Sequence, residues 1–119
     1  MMRMMLPGAV LAGVLGLALS AGAEDIRIEL PADTRVETVR AEYECGGQRV
    51  SAQYINAGSV SLAVLAMGED VVVAANVMAA SGAKYDGGRY VWWTKGREAT
   101  LYDLRMGEAD PGVSCTPSG

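Results

Sequence analysis

Two short segments hold the residues best placed to do chemistry. Ser81-Gly82-Ala83-Lys84-Tyr85 and Tyr90-Val91-Trp92-Trp93-Thr94-Lys95-Gly96 flank the glycines at 87 and 88. They read as the two arms of one hairpin. A hydroxyl at Ser81, which donates and accepts, then lies near a cation at Lys95, which only donates. A turn centred on Gly88 sets the two residues directly opposite each other. A two-residue turn at Gly87-Gly88 puts them on opposite faces. By pattern alone, Ser81 reads as a turn residue and Lys95 as a solvated charge.

Catalytic constellations are missing. The chain has no histidine, which excludes a Ser-His-Asp triad and any His-ligated metal. Its two cysteines cannot build a four-thiolate site. No glycine loop leads into Lys-Ser/Thr to cradle a phosphate. Glu69-Asp70 and Asp86 sit in polar, turn-like surroundings that suit solvated roles. Ten basic against fourteen acidic side chains give a net charge of −4, the wrong sign for a nucleic-acid surface. No metal and no cofactor is expected.

The elements that must position these groups are strands. Residues 39–45 and 48–55 flank Gly46-Gly47, a two-residue hairpin signal. Val50, Ala52 and Tyr54 alternate with polar residues, and Asn56-Ala57-Gly58-Ser59 is the next turn by composition. Another alternating strand begins at Val60 and ends near Met67-Gly68-Glu69-Asp70. Residues 71–78 are nearly all apolar, as in a central strand. Asp86-Gly87-Gly88 turns the chain into an aromatic run, and Lys95-Gly96 turns it again into residues 97–104. The tail from Met106 onward, rich in Gly, Pro and Ser, reads as irregular. Six to eight strands about ten residues apart predict an all-β sandwich or small barrel. Adjacent strand residues face opposite ways, so one of Trp92 and Trp93 points inward. The other is either a binding anchor or is covered by the tail.

The N-terminus resembles an export signal. Arg3 precedes an uncharged stretch, Leu6 to Leu19, and Ala21-Gly22-Ala23 offers a small-x-small cleavage point. Cleavage after Ala23 leaves one domain, residues 24–119. It holds nine basic and fourteen acidic groups, because the removed segment carries only Arg3. Its first cysteine is Cys45, so no lipid-bearing cysteine stands at the cleavage point, and a soluble periplasmic protein without a permanent membrane anchor is expected. In an oxidising compartment Cys45 and Cys115 pair. Closing a loop of that length contributes roughly 4 kcal/mol in the chain-entropy model.

The two arms match S-G-x-x-Y and Y-x-x-x-T-K-G, and the chain resembles the MliC/PliC family of exported bacterial inhibitors of c-type lysozyme. The resemblance extends to Tyr43-x-Cys45, Tyr54-x-Asn56-Ala57, Gly96-Arg97-Glu98-Ala99-x-Leu101 and Cys115. It implies a small antiparallel β-barrel of about eight strands with one disulfide. It also implies a hairpin that plugs the lysozyme cleft, with Ser81 and Lys95 on the catalytic carboxyl groups. Gly82 and Gly96 would let the backbone come close, Thr94 belongs to the same motif, and Tyr85 and Tyr90 would support the hairpin or line the interface. Many members carry a lipobox cysteine that this chain lacks. Lys84 stands where many relatives have arginine, which keeps the charge but loses bidentate contacts. Two rival readings are a barrel that carries an apolar ligand and a glycan-cleaving enzyme using Asp86 or Glu98, which needs two carboxyl groups about 5–9.5 Å apart. The oligomeric state is not legible from the sequence.

Overall fold

A computed structural model of the chain describes residues 24–118. The export signal therefore lies outside the described residues. The chain divides into two units, Met1–Pro31 and Ala32–Gly119. Residues 24–31 of the first have no regular structure.

The second unit is a closed barrel of eight antiparallel strands, each paired with its neighbours in chain order. They are β1 (Val36–Cys45), β2 (Gln48–Ala57), β3 (Val60–Met67), β4 (Asp70–Val77), β5 (Ala83–Gly87), β6 (Tyr90–Lys95), β7 (Glu98–Asp103) and β8 (Val113–Pro117). Gly46 and Gly47, at φ 59° and 90°, make the positive-φ turn that a two-residue hairpin needs. β8 closes the barrel by pairing with β1 through Cys45↔Cys115 and with β7 through Ala99↔Cys115. The tail expected to be irregular is thus in part a strand. Its Pro and Gly mask a segment that becomes a strand through its two partners and not through its own composition. The disulfide joins Cys45 to Cys115, 70 residues apart, between directly paired positions.

Alternation fills the interior. Inward positions on β1 to β4 include Ala41, Ala52, Ala63 and Ala74, with Val50, Leu65 and Met67 beside them. These small residues leave room for Tyr43, Tyr54, Tyr85 and Trp92 in a chain without phenylalanine. Trp92, Leu65 and Val50 are fully buried. The Tyr43 and Trp92 rings meet edge to face with centroids 5.0 Å apart. Trp92 Nε1–H donates to the Tyr54 hydroxyl at 2.9 Å, and that hydroxyl also bonds to the Tyr43 hydroxyl at 2.8 Å. Burial, then the Tyr43 hydroxyl, push the Tyr54 phenol well above its ordinary value, against the opposing pull of the Trp92 N–H. The interior is thus occupied by aromatic side chains. On β4 the apolar run does not mean burial on both sides. Ala74 faces in, while Val71 and Val73 remain exposed on the outer face.

Candidate functional site

The hairpin of β5 and β6 has a two-residue turn, Gly88-Arg89, so that Gly87 pairs with Tyr90 and Ala83 with Thr94. The turn lies one position later than Gly87-Gly88. Gly87 is drawn into β5 because its α-carbon presses on β4, where an added Cβ would lie 2.6 Å from the Val73 carbonyl oxygen. The ladder continued past Ala83 sets Gly82 against Lys95, and Ser81 one step beyond. Ser81 and Lys95 are therefore neighbours but not directly opposed.

Period two on β6 places Trp93 and Lys95 on the outer face while Trp92 fills the core. Lys84 pairs directly across from Trp93 and shares that face. The result is a small cationic–aromatic cluster. The Lys95 ammonium lies 4.7 Å from the centre of the Trp93 ring and the Lys84 ammonium 5.2 Å from it. Trp93 Nε1–H donates to the Ser81 carbonyl at 2.8 Å. The Thr94 hydroxyl donates to the Ala83 carbonyl at 3.3 Å. Between them sits Gly82 at φ +68°, where an added Cβ would lie 2.2 Å from the Thr94 carbonyl oxygen and 2.9 Å from Lys95 Cγ. Only glycine fits there, and its fit brings the Ser81 loop onto β6.

Ser81 and Lys95 are both exposed. Among the described residues the ion pairs are Arg49–Glu44, Arg89–Asp103 and Arg105–Asp103, and neither Lys84 nor Lys95 is paired with a carboxylate. The hairpin thus presents two cations without a carboxylate partner and, in the adjoining loop, an exposed serine, donors suited to carboxyl groups.

Of the residues expected to form a site, the structure brings together Ser81, Gly82, Thr94, Lys95 and Gly96. Tyr85 is buried, yet it lines a hollow of about 280 Å³ at the same barrel mouth with Thr94, Gly96, Tyr43, Tyr54, Val39 and Asn56. Tyr90 stands at the other end of β6, five residues or roughly 17 Å from Lys95, with the Arg89 guanidinium 4.7 Å over its ring. The outward tryptophan of the pair, expected as an anchor or as a residue under the tail, is Trp93, and Lys84, expected only to keep a charge, shares its face. Counting by twos along β6 from Lys95 reaches Trp93, and the correct turn then gives Lys84. Asp86 and Glu98 do not form an acid pair: Asp86 lies opposite Val91 and Val91 opposite Tyr102, four residues or roughly 13 Å along β7 from Glu98.

A filled barrel with one exposed cluster of cations, an indole and a hydroxyl has the build of a protein that binds another macromolecule. The family model for membrane-bound lysozyme-inhibitor of c-type lysozyme matches residues 43–110, and the chain belongs to that family. A protein of Pseudomonas aeruginosa named membrane-bound lysozyme inhibitor of C-type lysozyme is 46% identical over 91 residues, 74% of this chain and 72% of that one. One of the same name from Cupriavidus necator is 46% identical over 76 residues, 62% of this chain and 61% of its own. The crystal structure of Pseudomonas aeruginosa MliC in complex with hen egg white lysozyme matches at a TM-score of 0.69 and 40% identity, covering 82% of this chain and 99% of that one. The expected absence of an anchor finds no support in these relatives, both named as membrane-bound.

Proposed function

We propose that the chain is an exported inhibitor of c-type lysozyme that works by occlusion, without turnover. The reading rests on one observation: Ser81 and Lys95 both stand exposed at the same end of the β5–β6 hairpin, with Gly82 against the Lys95 stem. A c-type lysozyme cleaves glycans with two carboxyl groups, one a protonated acid and one ionised. The Lys95 ammonium pairs with the ionised group, and the Ser81 hydroxyl donates to one carboxyl and accepts from the other. In a cleft closed to water such charge-assisted bonds contribute about 1.5–3 kcal/mol each. The family relationship and the lysozyme complex of the Pseudomonas aeruginosa protein support the choice of partner. A chain of net charge −4 also approaches a basic enzyme faster at low salt.

The test is titration of the purified protein, residues 24–119, into a lysozyme lysis assay, with a goose-type enzyme as control. Inhibition of the c-type enzyme alone is expected, with no cleavage of peptidoglycan by the protein itself. Ser81→Ala and Lys95→Ala should each weaken inhibition by about 1–3 kcal/mol while the barrel stays folded. A double variant that inhibits like the parent would show that the cleft is not plugged by this pair.

A further inference from the structure

The outward tryptophan has a task that the proposed function leaves unassigned. The barrel core is complete without it, since Trp92 fills the interior and Trp93 lies on the outer face. Yet Trp93 is half-buried, and Lys84, Lys95 and the Ser81 carbonyl all lie against it. Its N–H reaches back twelve positions to the Ser81 carbonyl. Among the described residues, outside the strand ladders, no backbone–backbone hydrogen bond holds positions 78–82. The indole supplies a fixed point for that loop. Its ring also lies under the Lys95 ammonium, at the end of a four-carbon stem that would otherwise rotate freely.

We infer that Trp93 is the positioning residue of this site: its N–H fixes the Ser81 backbone and its ring fixes the Lys95 ammonium, so hydroxyl and cation are presented together before any partner arrives. The inference rests on the reading of Ser81 and Lys95 as the contacts to lysozyme. Lys84, with its ammonium near the same ring, is the second cation of the platform. Preorganisation of this kind strengthens binding by removing the ordering cost at the moment of contact.

Two variants separate the two contacts. Trp93→Phe keeps a ring and removes the N–H; Trp93→Leu removes both. Inhibition of hen egg white lysozyme should weaken about 5-fold for Trp93→Phe and about 30-fold for Trp93→Leu. A residue that only supports the fold would impose the same loss in any background. A residue that acts through Ser81 would not: in a Ser81→Ala background, Trp93→Phe should cost less than about 2-fold. Equal losses in both backgrounds overturn the inference. The unaltered protein offers an independent readout. Ring currents should move the Lys95 ε-methylene protons upfield of an ordinary lysine, and Trp93→Leu should return them. Ordinary shifts in the parent overturn the inference whatever the variants do. If Ser81→Ala and Lys95→Ala themselves left inhibition intact, the site reading would fall instead, while the proton shifts would still report whether the indole holds the lysine.

Discussion

Replacing Gly82 by alanine tests whether the fit between loop and strand makes the site. Two costs arise. The first is conformational: at φ +68° an L-residue sits in the left-handed region at a cost of about 1–2 kcal/mol. The second is steric. The new Cβ would lie 2.2 Å from the Thr94 carbonyl oxygen, where ordinary contact begins at 3.4 Å. Backbone on β6 cannot yield, so the loop must retreat by about 1 Å. The 2.8 Å bond from Trp93 Nε1 to the Ser81 carbonyl then stretches past hydrogen-bonding range, a further loss of about 1 kcal/mol. Gly88→Ala is the matched control, because Gly88 has φ +55° and nothing within 4 Å of an added Cβ. It carries the conformational cost alone, at the far end of the same hairpin. Gly88→Ala should therefore lower stability by about 1–2 kcal/mol, seen as a Tm fall of about 4–8 °C per kcal/mol, and inhibit like the parent. Gly82→Ala should lose about 1 kcal/mol more and inhibit at least about 10-fold less well. Urea unfolding and a lysozyme lysis assay on both variants decide the matter. Equal inhibition by the two would show that seating the loop on β6 has no part in the activity.

Further outcomes follow from other parts of the barrel. Tyr54→Phe removes the acceptor of the buried Trp92 N–H and should destabilise by about 1–3 kcal/mol in urea unfolding, with inhibition unchanged well below the new Tm. The Tyr54 phenol is raised in the folded state above its ordinary 10.0, so folding favours its protonated form. Its contribution is then fully present below pH 10.0 and is lost as the unfolded chain ionises above it. Stability curves should bend downward in that alkaline range, and less steeply for Tyr54→Phe. Reduction of Cys45–Cys115, which closes a 70-residue separation, should lower stability by roughly 4 kcal/mol, measured as the shift in unfolding free energy with and without reductant. Inhibition should fall with rising salt, read as an association rate that drops while dissociation changes little.

What could be read from the chain beforehand divides by range of interaction. Most strands were legible because glycine-bearing turns, such as Gly46-Gly47, punctuate alternating runs, and both signals are local. β8 was not legible. Ser114 and Pro117 carry no strand preference, and the segment becomes a strand by filling the gap between β1 and β7. The turn at Gly88-Arg89 was also missed by one position. Gly87 and Gly88 are equivalent candidates by composition, and contact with Val73 and Ala74 on a different hairpin decides between them. The outer valines of β4 show the converse case: β-branched residues mark the strand correctly and say nothing of whether its outer face is covered.

That one-position error bears on the site, because moving a two-residue turn by one position keeps the faces but shifts every cross-strand partner by two residues. With a turn at Gly87-Gly88, Ala83 would oppose Trp92 and Lys84 would oppose Val91, on the face of Trp93 but not directly across from it. In the true register Lys84 meets Trp93, and Lys95 follows two residues along the same face. Ser81 escapes this parity altogether. It precedes β5, and Gly82 with its positive φ breaks the alternation before the strand begins. The hydroxyl can therefore join the outer-face cations although strict alternation from Ala83 does not require it. The arms supply the reactive groups, and the glycine between Ser81 and β5 sets where they meet. Exchanging Ser81 for threonine should thus be better tolerated than any substitution of Gly82, since the first keeps the hydroxyl and the second moves the backbone that carries it.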